Sequence, residues 1–502
     1  MPPAPDDDLL TRVRAWIDDD PEPGTVRTLT ELLYAVEDGG PGGEAARAEL
    51  TELFRAPLAF GTAGLRGLVG PGPGAMNRAT VRRAAAGVAS WIQARQPDDR
   101  PHEVVIGRDA RHGSEEFVAE SVEVLAGAGV VVTVLPAPVP TPVLAFAVRE
   151  RGAAAGIMVT ASHNPGPDNG YKVYDAEGRQ IDADQATTIA AAMTAAGRVT
   201  DLPLAGAGHP LIQHVGSEVV DVYISTVVHD LVRHRPGRAP VVVAHTALHG
   251  VGAEVVRRAC RVVGFVDLHE VAEQSVPDPD FPTVRFPNPE EPGALDLLLD
   301  HAARTGAVVA LANDPDADRL AMAVPDPALG DRSVPAGWRA LTGNELGWLL
   351  ADHLLRRGGY DPDGVLATTG VSSRMLRAMA EDAGVRYVET LTGFKWVSRA
   401  ATPGHPLILG YEEALGYCIG DVVHDKDGIS AFLVASEMVS DLLDEGATVL
   451  DRLDDLARRH GVHATGQWST RREGAAGAAA IAEAMRRVRQ EPPSMLAGRP
   501  GR

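Results

Sequence analysis

Short apolar runs that end abruptly in polar, glycine- or proline-bearing loops recur along this chain, and that recurrence limits the fold more than any other feature. The run "VVIG" (104–107) leads into "GRDARHGS", a helical pattern follows from Glu115 to about Gly127, and "VVVTVL" comes next. Strand, helix, strand in that order is the signal of a parallel sheet, because parallel neighbours need a crossover connection. The theme returns in "GIMVT" before "ASHNP", in "APVVVAH" before "TALHGVGAEVVRRACRVVG", in "AVVALANDPDADRLAMAV" and in "HPLILGYEEALGY". The spacing is not that of a strict repeat. The fold class is therefore α/β, and in such sheets ligands collect where strands end and loops begin.

At 502 residues the chain exceeds one core and divides into roughly three or four domains. The Gly/Pro-bearing stretch 205–210 suits a junction, the Pro-rich 276–293 reads as an ordered surface loop, and helical Arg/Ala-rich character begins near Ala447. The formal net charge of −21 argues against nucleic acid or an anionic membrane as partner. An anionic substrate would need local positive charge at its site. Cys260 and Cys418 alone make no disulfide framework, the start "MPPAPDDDLL" lacks the features of a signal peptide, and no apolar run approaches a membrane span. These features read as cytoplasmic.

Of the 47 Lys plus Arg, only Lys172, Lys395 and Lys426 are lysine. Coding bias with chance survivors is one explanation. The other is a need for a compact ammonium whose pKa responds to its surroundings, which guanidinium does not supply. All three lie in segments that read as turn-rich and near strand ends, which favours phosphate sites over solvated helix faces.

"NDPDADR" (313–319) sets Asp314, Asp316 and Asp318 at alternate positions after a buried run, a pattern that aims three carboxylates at one hard divalent cation. An EF-hand is excluded, because its sixth and twelfth positions would need Gly and Glu and here are Arg319 and Pro325. An acidic surface turn remains the bland alternative. "TASHNP" presents Ser162 on a tight turn with His163, and Lys172 follows ten residues later, after "PDNG". Alone, this hexapeptide favours an ordinary Ser/Asn-Pro turn over a reactive serine. It is not the Gly-x-Ser-x-Gly elbow of a hydrolase. "FGTAGLRG" (60–67) combines glycines, whose N–H groups approach oxyanions, with Arg66, a bidentate phosphate binder. A P-loop pattern does not occur. "GYEEALGY" offers Glu412 and Glu413, suited to sugar hydroxyls or simply solvated, and "TLTGFKW" and "HDKDG" carry the remaining lysines.

In combination, "GTAGLRG", "TASHNP…NGYK", "DPDADR", "TGFKW", "GYEEALGY" and "DKDG" resemble the α-D-phosphohexomutase superfamily of phosphoglucomutases and phosphomannomutases, from about Phe60 to Gly428. "FPTVRFPNPEEPGAL" and "ETLTGFKW" are similar to the branch that contains type 2 phosphoglucomutases and phosphopentomutases. The resemblance implies three successive α/β domains with mixed, largely parallel sheets around a central cleft: a phosphoserine domain (1–210), a metal-binding domain (211–325) and a sugar-binding domain (326–445). It also implies a partial fourth, phosphate-binding domain (446–502), because the family's Arg-x-Ser-Gly-Thr-Glu-Pro loop has no counterpart before "PPSMLAGRPGR".

It implies roles as well. Ser162 would carry the phosphoryl group, and Asp314, Asp316 and Asp318 would hold Mg²⁺ with an oxygen of phosphorylated Ser162. Arg66, His163, Lys172 and Arg319 would surround that phosphate, with Lys172 near the proton transfers. Thr392 and Gly393 would distinguish the two sugar orientations, Glu412 would hold sugar hydroxyls, and Lys426 would act as acid or base. The implied activity is a magnesium-dependent phosphosugar mutase, with glucose 1-phosphate and 6-phosphate as the pair and a sugar 1,6-bisphosphate as activator and intermediate, in a monomer or weak dimer. The alternatives are phosphomannomutase, phosphopentomutase or sugar-bisphosphate synthase, and, in another class, a catalytically weak sugar-phosphate-binding protein. Ala414, where many hexomutases have serine, bears on the choice of sugar.

Overall fold

The structure is a computed structural model that describes residues 5–40, 42–60, 64–95, 102–136, 138–330, 337–466, 470, 472, 474–496 and 499–500. Residues 61–63 of the predicted glycine loop lie outside the described residues. The chain forms two compact units, Met1–His463 and Ala464–Arg502.

The first unit opens with three helices, Pro5–Ile17, Pro23–Asp38 and Gly43–Leu53, closed around Val13, Leu29, Leu33, Leu50 and Phe54. Three mixed sheets follow. The first has β1 (Leu65–Leu68), β2 (Glu103–Arg108), β3 (Val131–Val134), β4 (Ala155–Val159), β5 (Asp168–Asp175) and β6 (Ile212–His214), in the order β1-β5-β4-β2-β3-β6. The pairs β2/β3, β2/β4 and β3/β6 are parallel, whereas β4/β5 and β1/β5 are antiparallel. β6 belongs to this sheet, so its edge lies just beyond residue 210.

The second sheet runs β11-β10-β9-β7-β8, from β7 (Val241–Thr246), β8 (Val266–Glu270), β9 (Val309–Asn313), β10 (Leu320–Pro325) and β11 (Trp338–Ala340). The third runs β13-β12-β14-β15, from β12 (Val365–Thr369), β13 (Arg386–Thr390), β14 (Leu407–Glu412) and β15 (Gly416–Ile419). Strands β4, β9 and β12 are buried along their whole length, as the uninterrupted apolar runs require when helices cover both faces. One apolar cluster, including Phe146, Tyr223, Leu311, Met322, Tyr411 and Phe432, spans elements of all three sheets and the helix Gly428–Asp444. This shared core holds the three sheets' loop ends against one another.

The helix Val449–His460 packs on the helices Gly343–Arg357 and Met375–Ala383. In the second unit, the helix Gly474–Gln490 precedes a short antiparallel pair, β16 (Met495–Leu496) with β17 (Arg499–Pro500). Among the described residues, no helix is long and apolar enough to cross a membrane.

Lys172 does not lie in a turn. It sits inside β5, opposite Met158 of β4, and the turn occupies the residues before that strand. Lys395 lies in the short helix Phe394–Val397, and only Lys426 is in a loop. Arg66 likewise stands on β1, opposite Gly170.

Candidate functional site

The end of β4 delivers "TASHNP" at the edge of a fully buried strand. Thr160 Oγ1 accepts a hydrogen bond from the Ser162 amide (2.9 Å), and Ser162 has a left-handed backbone with φ 53°. A non-glycine residue rarely adopts that conformation, and such strain persists only where neighbours over-determine it. Its hydroxyl donates to Asp314 Oδ2 at 2.8 Å, and His163 Nδ1 lies 3.0 Å from Ser162 Oγ. Because the one hydroxyl proton goes to Asp314, the bond from His163 requires Nδ1–H. Burial, then the guanidinium groups of Arg319 and Arg66, push His163 down to about 2, so its ring is neutral.

The loop between β9 and β10 turns on Ala317, with φ 56°, and brings Asp314, Asp316 and Asp318 together. Their ligand oxygens lie within 4.8 Å of one another, and all three residues are buried. Asp314 Oδ1 accepts the Arg319 amide at 3.0 Å. Asp316 Oδ2 accepts from Thr141 Oγ1 and from Lys172 Nζ, each at 2.6 Å. Asp318 Oδ2 lies 2.9 Å from Lys172 Nζ and 3.2 Å from Lys426 Nζ. The other oxygens of Asp316 and Asp318 are buried without a partner. An anionic oxygen left unsatisfied inside a protein is costly, and a hard divalent cation satisfies it with the ligand type it prefers. The donor set therefore fits Mg²⁺. A second group, His353, Glu437 and Asp441, is as closely spaced, but Arg238 and Arg357 already occupy the Glu437 carboxylate.

The charges pull against each other strongly. Burial raises Asp316, and the charge of Asp318 adds to it. Burial also acts on Asp318, but the ammonium groups of Lys172 and Lys426 outweigh it and hold that carboxyl below its usual range. Burial opposes the charge on both lysines, yet Asp316 and Asp318 raise Lys172, and Asp318 and Asp425 raise Lys426. Both lysines are ammonium ions here.

The third sheet supplies the remaining side. Glu412, at the end of β14, accepts the Gly393 amide at 2.7 Å, and burial raises its pKa against the pull of Lys426. Gly393 has φ 113°, and Thr392 beside it is exposed. Glu413 is half-buried and accepts a hydrogen bond from Ser372 Oγ at 2.7 Å. Arg66 reaches Asn164 Oδ1 only at 3.4 Å, and Arg319 pairs with Glu290 at 3.1 Å. The Nε atoms of both arginines are buried without a partner, which leaves donors for an anion.

The structure thus joins Ser162, His163, Lys172, the three aspartates and Lys426 by direct contacts. It sets Arg66, Arg319, Glu412 and Gly393 around them. Four residues that the sequence did not single out, Asp109, Arg111, Thr141 and Thr160, support the turn and the aspartates. Arg111 donates to the carbonyls of Ser162 (2.6 Å), Asn164 (2.6 Å), Pro165 (2.8 Å) and Asp168 (3.1 Å). Asp109 accepts from Thr160 Oγ1 at 2.6 Å and pairs with Arg111. Thr141 fixes Asp316. "GRDARHGS" does end a strand, but nothing in the residue types said that Arg111 would bind main-chain oxygens.

Models of the phosphoglucomutase/phosphomannomutase α/β/α domains I, II and III match residues 57–199, 221–329 and 342–460 in order. A Haemophilus influenzae protein named "probable phosphomannomutase" is 40% identical over 429 residues, 84% of this chain and 83% of that one. A Homo sapiens protein named phosphopentomutase is 35% identical over 446 residues, 84% of this chain and 71% of that one. A solved structure from Thermus thermophilus, described as a putative phosphomannomutase, superposes with a TM-score of 0.67 at 27% identity, covering 81% of this chain and 85% of that one.

Proposed function

The chain belongs to the phosphoglucomutase/phosphomannomutase family and is a phosphomutase, an isomerase; on that premise we propose that it interconverts the 1- and 6-phosphates of a hexose, glucose foremost, through phosphorylated Ser162 and a sugar 1,6-bisphosphate. One observation carries the reading: Ser162 Oγ, on a strained turn, stands 2.8 Å from the first of three converging buried aspartates, two of which keep an unpartnered oxygen.

Asp314, Asp316 and Asp318 would hold Mg²⁺, which when bound neutralises charge on phosphoryl oxygens. Phosphoryl transfer is loose, so the protein's task is to position donor and acceptor in line and to balance charge. Ser162 Oγ is the donor, with neutral His163 donating to it from Nδ1. Arg66 and Arg319, each with a buried free Nε–H, would bind the phosphate oxygens in bidentate fashion. Lys172 supplies compact charge behind the aspartates. Lys426 carries a proton and stands on the side of Glu412, so it would give that proton to, or recover it from, the oxygen that gains or loses phosphorus. Glu412 would accept sugar hydroxyls, with Thr392 and Gly393 in the adjoining loop. The site sets Arg66, Lys172, Arg319 and Lys426 among its carboxylates within a chain of net charge −21, which favours a small phosphosugar over a polyanion.

The test has two arms. Incubation with glucose 1,6-bisphosphate should place one phosphoryl group on the peptide containing Ser162, and glucose, mannose and ribose 1-phosphates assayed side by side should rank glucose first. Labelling elsewhere overturns the residue assignment. A higher kcat/KM for mannose or ribose 1-phosphate overturns the sugar, and the relatives named above make those two the alternatives to measure.

A further inference from the structure

The Pro-rich loop 276–293 leaves the second sheet and reaches the Ser162 turn. Phe281 is 3% exposed and has φ 47°, a conformation that a bulky residue holds only under constraint. Its ring lies 5.0 Å from the Arg111 guanidinium carbon. On one side of it, Asp280 Oδ1 is 2.8 Å from His112 Nε2. The Pro279 carbonyl comes so close to Gly166 that a Cβ there would stand 3.0 Å from it. Three consecutive residues of the second domain therefore touch the segment that carries Ser162 or the segment that supports it.

Arg111 is 4% exposed and spends its two terminal nitrogens on four carbonyls of residues 162–168. A planar fork with fixed donor directions ties those carbonyls to one geometry, which an ammonium does not do. The aromatic face of Phe281 covers the guanidinium without competing for its N–H groups. Beyond Phe281, a solvent-open cavity of about 580 Å³ is lined by His112, Pro167, Phe281 and Arg285. Phe281 is thus the wall between the fork and bulk water.

We infer that Arg111 and Phe281 are positioning residues that fix the Ser162 turn from two domains at once, so that a sugar hydroxyl rather than water receives the phosphoryl group. This rests on Ser162 as the phosphoryl carrier. In transfer to sugar, the bond from Ser162 Oγ to phosphorus breaks, a bond from the sugar oxygen to phosphorus forms, and the hydroxyl proton moves to Ser162 Oγ through protein groups. In the competing reaction the oxygen of water bonds to phosphorus, Ser162 Oγ leaves and takes a proton, and inorganic phosphate is released. A sugar hydroxyl held by the third domain has one approach direction, whereas water has many. Loosening the turn therefore penalises the sugar more than water.

The experiment measures a ratio: inorganic phosphate released to sugar phosphate isomerised, at saturating Mg²⁺, from enzyme loaded with glucose 1,6-bisphosphate. Unlike turnover, this ratio does not change with the fraction of protein that is folded. We expect Phe281→Leu and Arg111→Lys each to raise it by about tenfold, and Phe281→Tyr, which keeps the aromatic face, to restore it to within about twofold of the parent. If Arg111→Lys fails to fold, Phe281→Leu decides. An unchanged ratio in Phe281→Leu, with Ser162 still labelled, overturns the inference, even if turnover falls. A parent enzyme that takes no label on Ser162 overturns the functional reading instead, and the inference falls with it.

Discussion

Lys172 is 1% exposed and shares its ammonium between Asp316 at 2.6 Å and Asp318 at 2.9 Å, while Lys426 approaches Asp318 from the third sheet. The Lys426 stem is packed so tightly that a Cβ on Gly416 would come within 2.4 Å of its Cδ. An arginine at either position would put a broad planar fork where a compact ammonium now meets two carboxylates. Lys172→Arg and Lys426→Arg should each lose more than about tenfold in turnover, roughly 1.4 kcal/mol of transition-state stabilisation. Steady-state kinetics check this, and activity within about twofold of the parent would return the rarity of lysine to coding bias. Ser162→Ala should bind metal, take up no phosphoryl group from glucose 1,6-bisphosphate and show no mutase turnover; intact turnover would remove Ser162 from the mechanism. At this scale the groups with distinctive chemistry were legible in the sequence: a serine on a turn, alternating aspartates, scarce lysines. Asp109, Arg111 and Thr160 were not, because they act on main-chain atoms, which every residue possesses, or on one another.

Among elements, the buried apolar runs were read correctly as strands, but "PDNG" suggested a turn where β5 in fact runs. Gly170 is there for another reason: a Cβ would stand 2.6 Å from the Thr160 carbonyl and 2.8 Å from that of Leu65, so it permits close approach of two neighbouring strands. Sequence does not separate a glycine needed for a positive φ from one needed for space. A further element-level property is the buried His245 on β7. Its Nε2 lies 3.0 Å from Asn313 Oδ1 on β9, and its ring meets Phe432 edge-on at 5.3 Å. Burial pushes this imidazole down to about 4, with the Asn313 hydrogen bond opposing. The unfolded chain binds the proton first as pH falls, so the folded state is fully favoured above about 6.5 and loses stability as pH drops from about 6.5 to about 4. That window corresponds to about 3 kcal/mol for this one group. Chemical denaturation across the window should show the loss, and His245→Gln should flatten the slope; an unaltered slope would mean that other groups govern it.

Across the whole molecule, the aspartate loop is where the three sheets are tied together. The first sheet's domain contributes Lys172 and Thr141 Oγ1 to Asp316, and the Thr141 amide donates to the Asp316 carbonyl at 2.9 Å. The third contributes Lys426 to Asp318, and the Gly428 amide donates to the Ala317 carbonyl at 3.1 Å. Away from the loop, Arg399 reaches Asp175, Gln180 reaches Asp425 and Tyr223 donates to Asp427, so the domains are linked by polar contacts around one shared core. A cation bound at Asp314, Asp316 and Asp318 would therefore stabilise the assembly of domains and not only its own loop. A ligand that binds the folded state alone adds RT ln(1 + [L]/Kd), about 2.7 kcal/mol at a hundredfold excess over Kd. Thermal unfolding followed by calorimetry should show one transition up to residue 463 that moves to higher temperature with millimolar Mg²⁺ and returns with chelator. Asp316→Asn should abolish the shift, because it removes charge while leaving volume. Ser162→Ala should retain most of it, since the unphosphorylated hydroxyl contributes no charge. A parent protein whose Tm is the same with Mg²⁺ and with chelator would remove the metal from this site, whatever its activity in magnesium buffers.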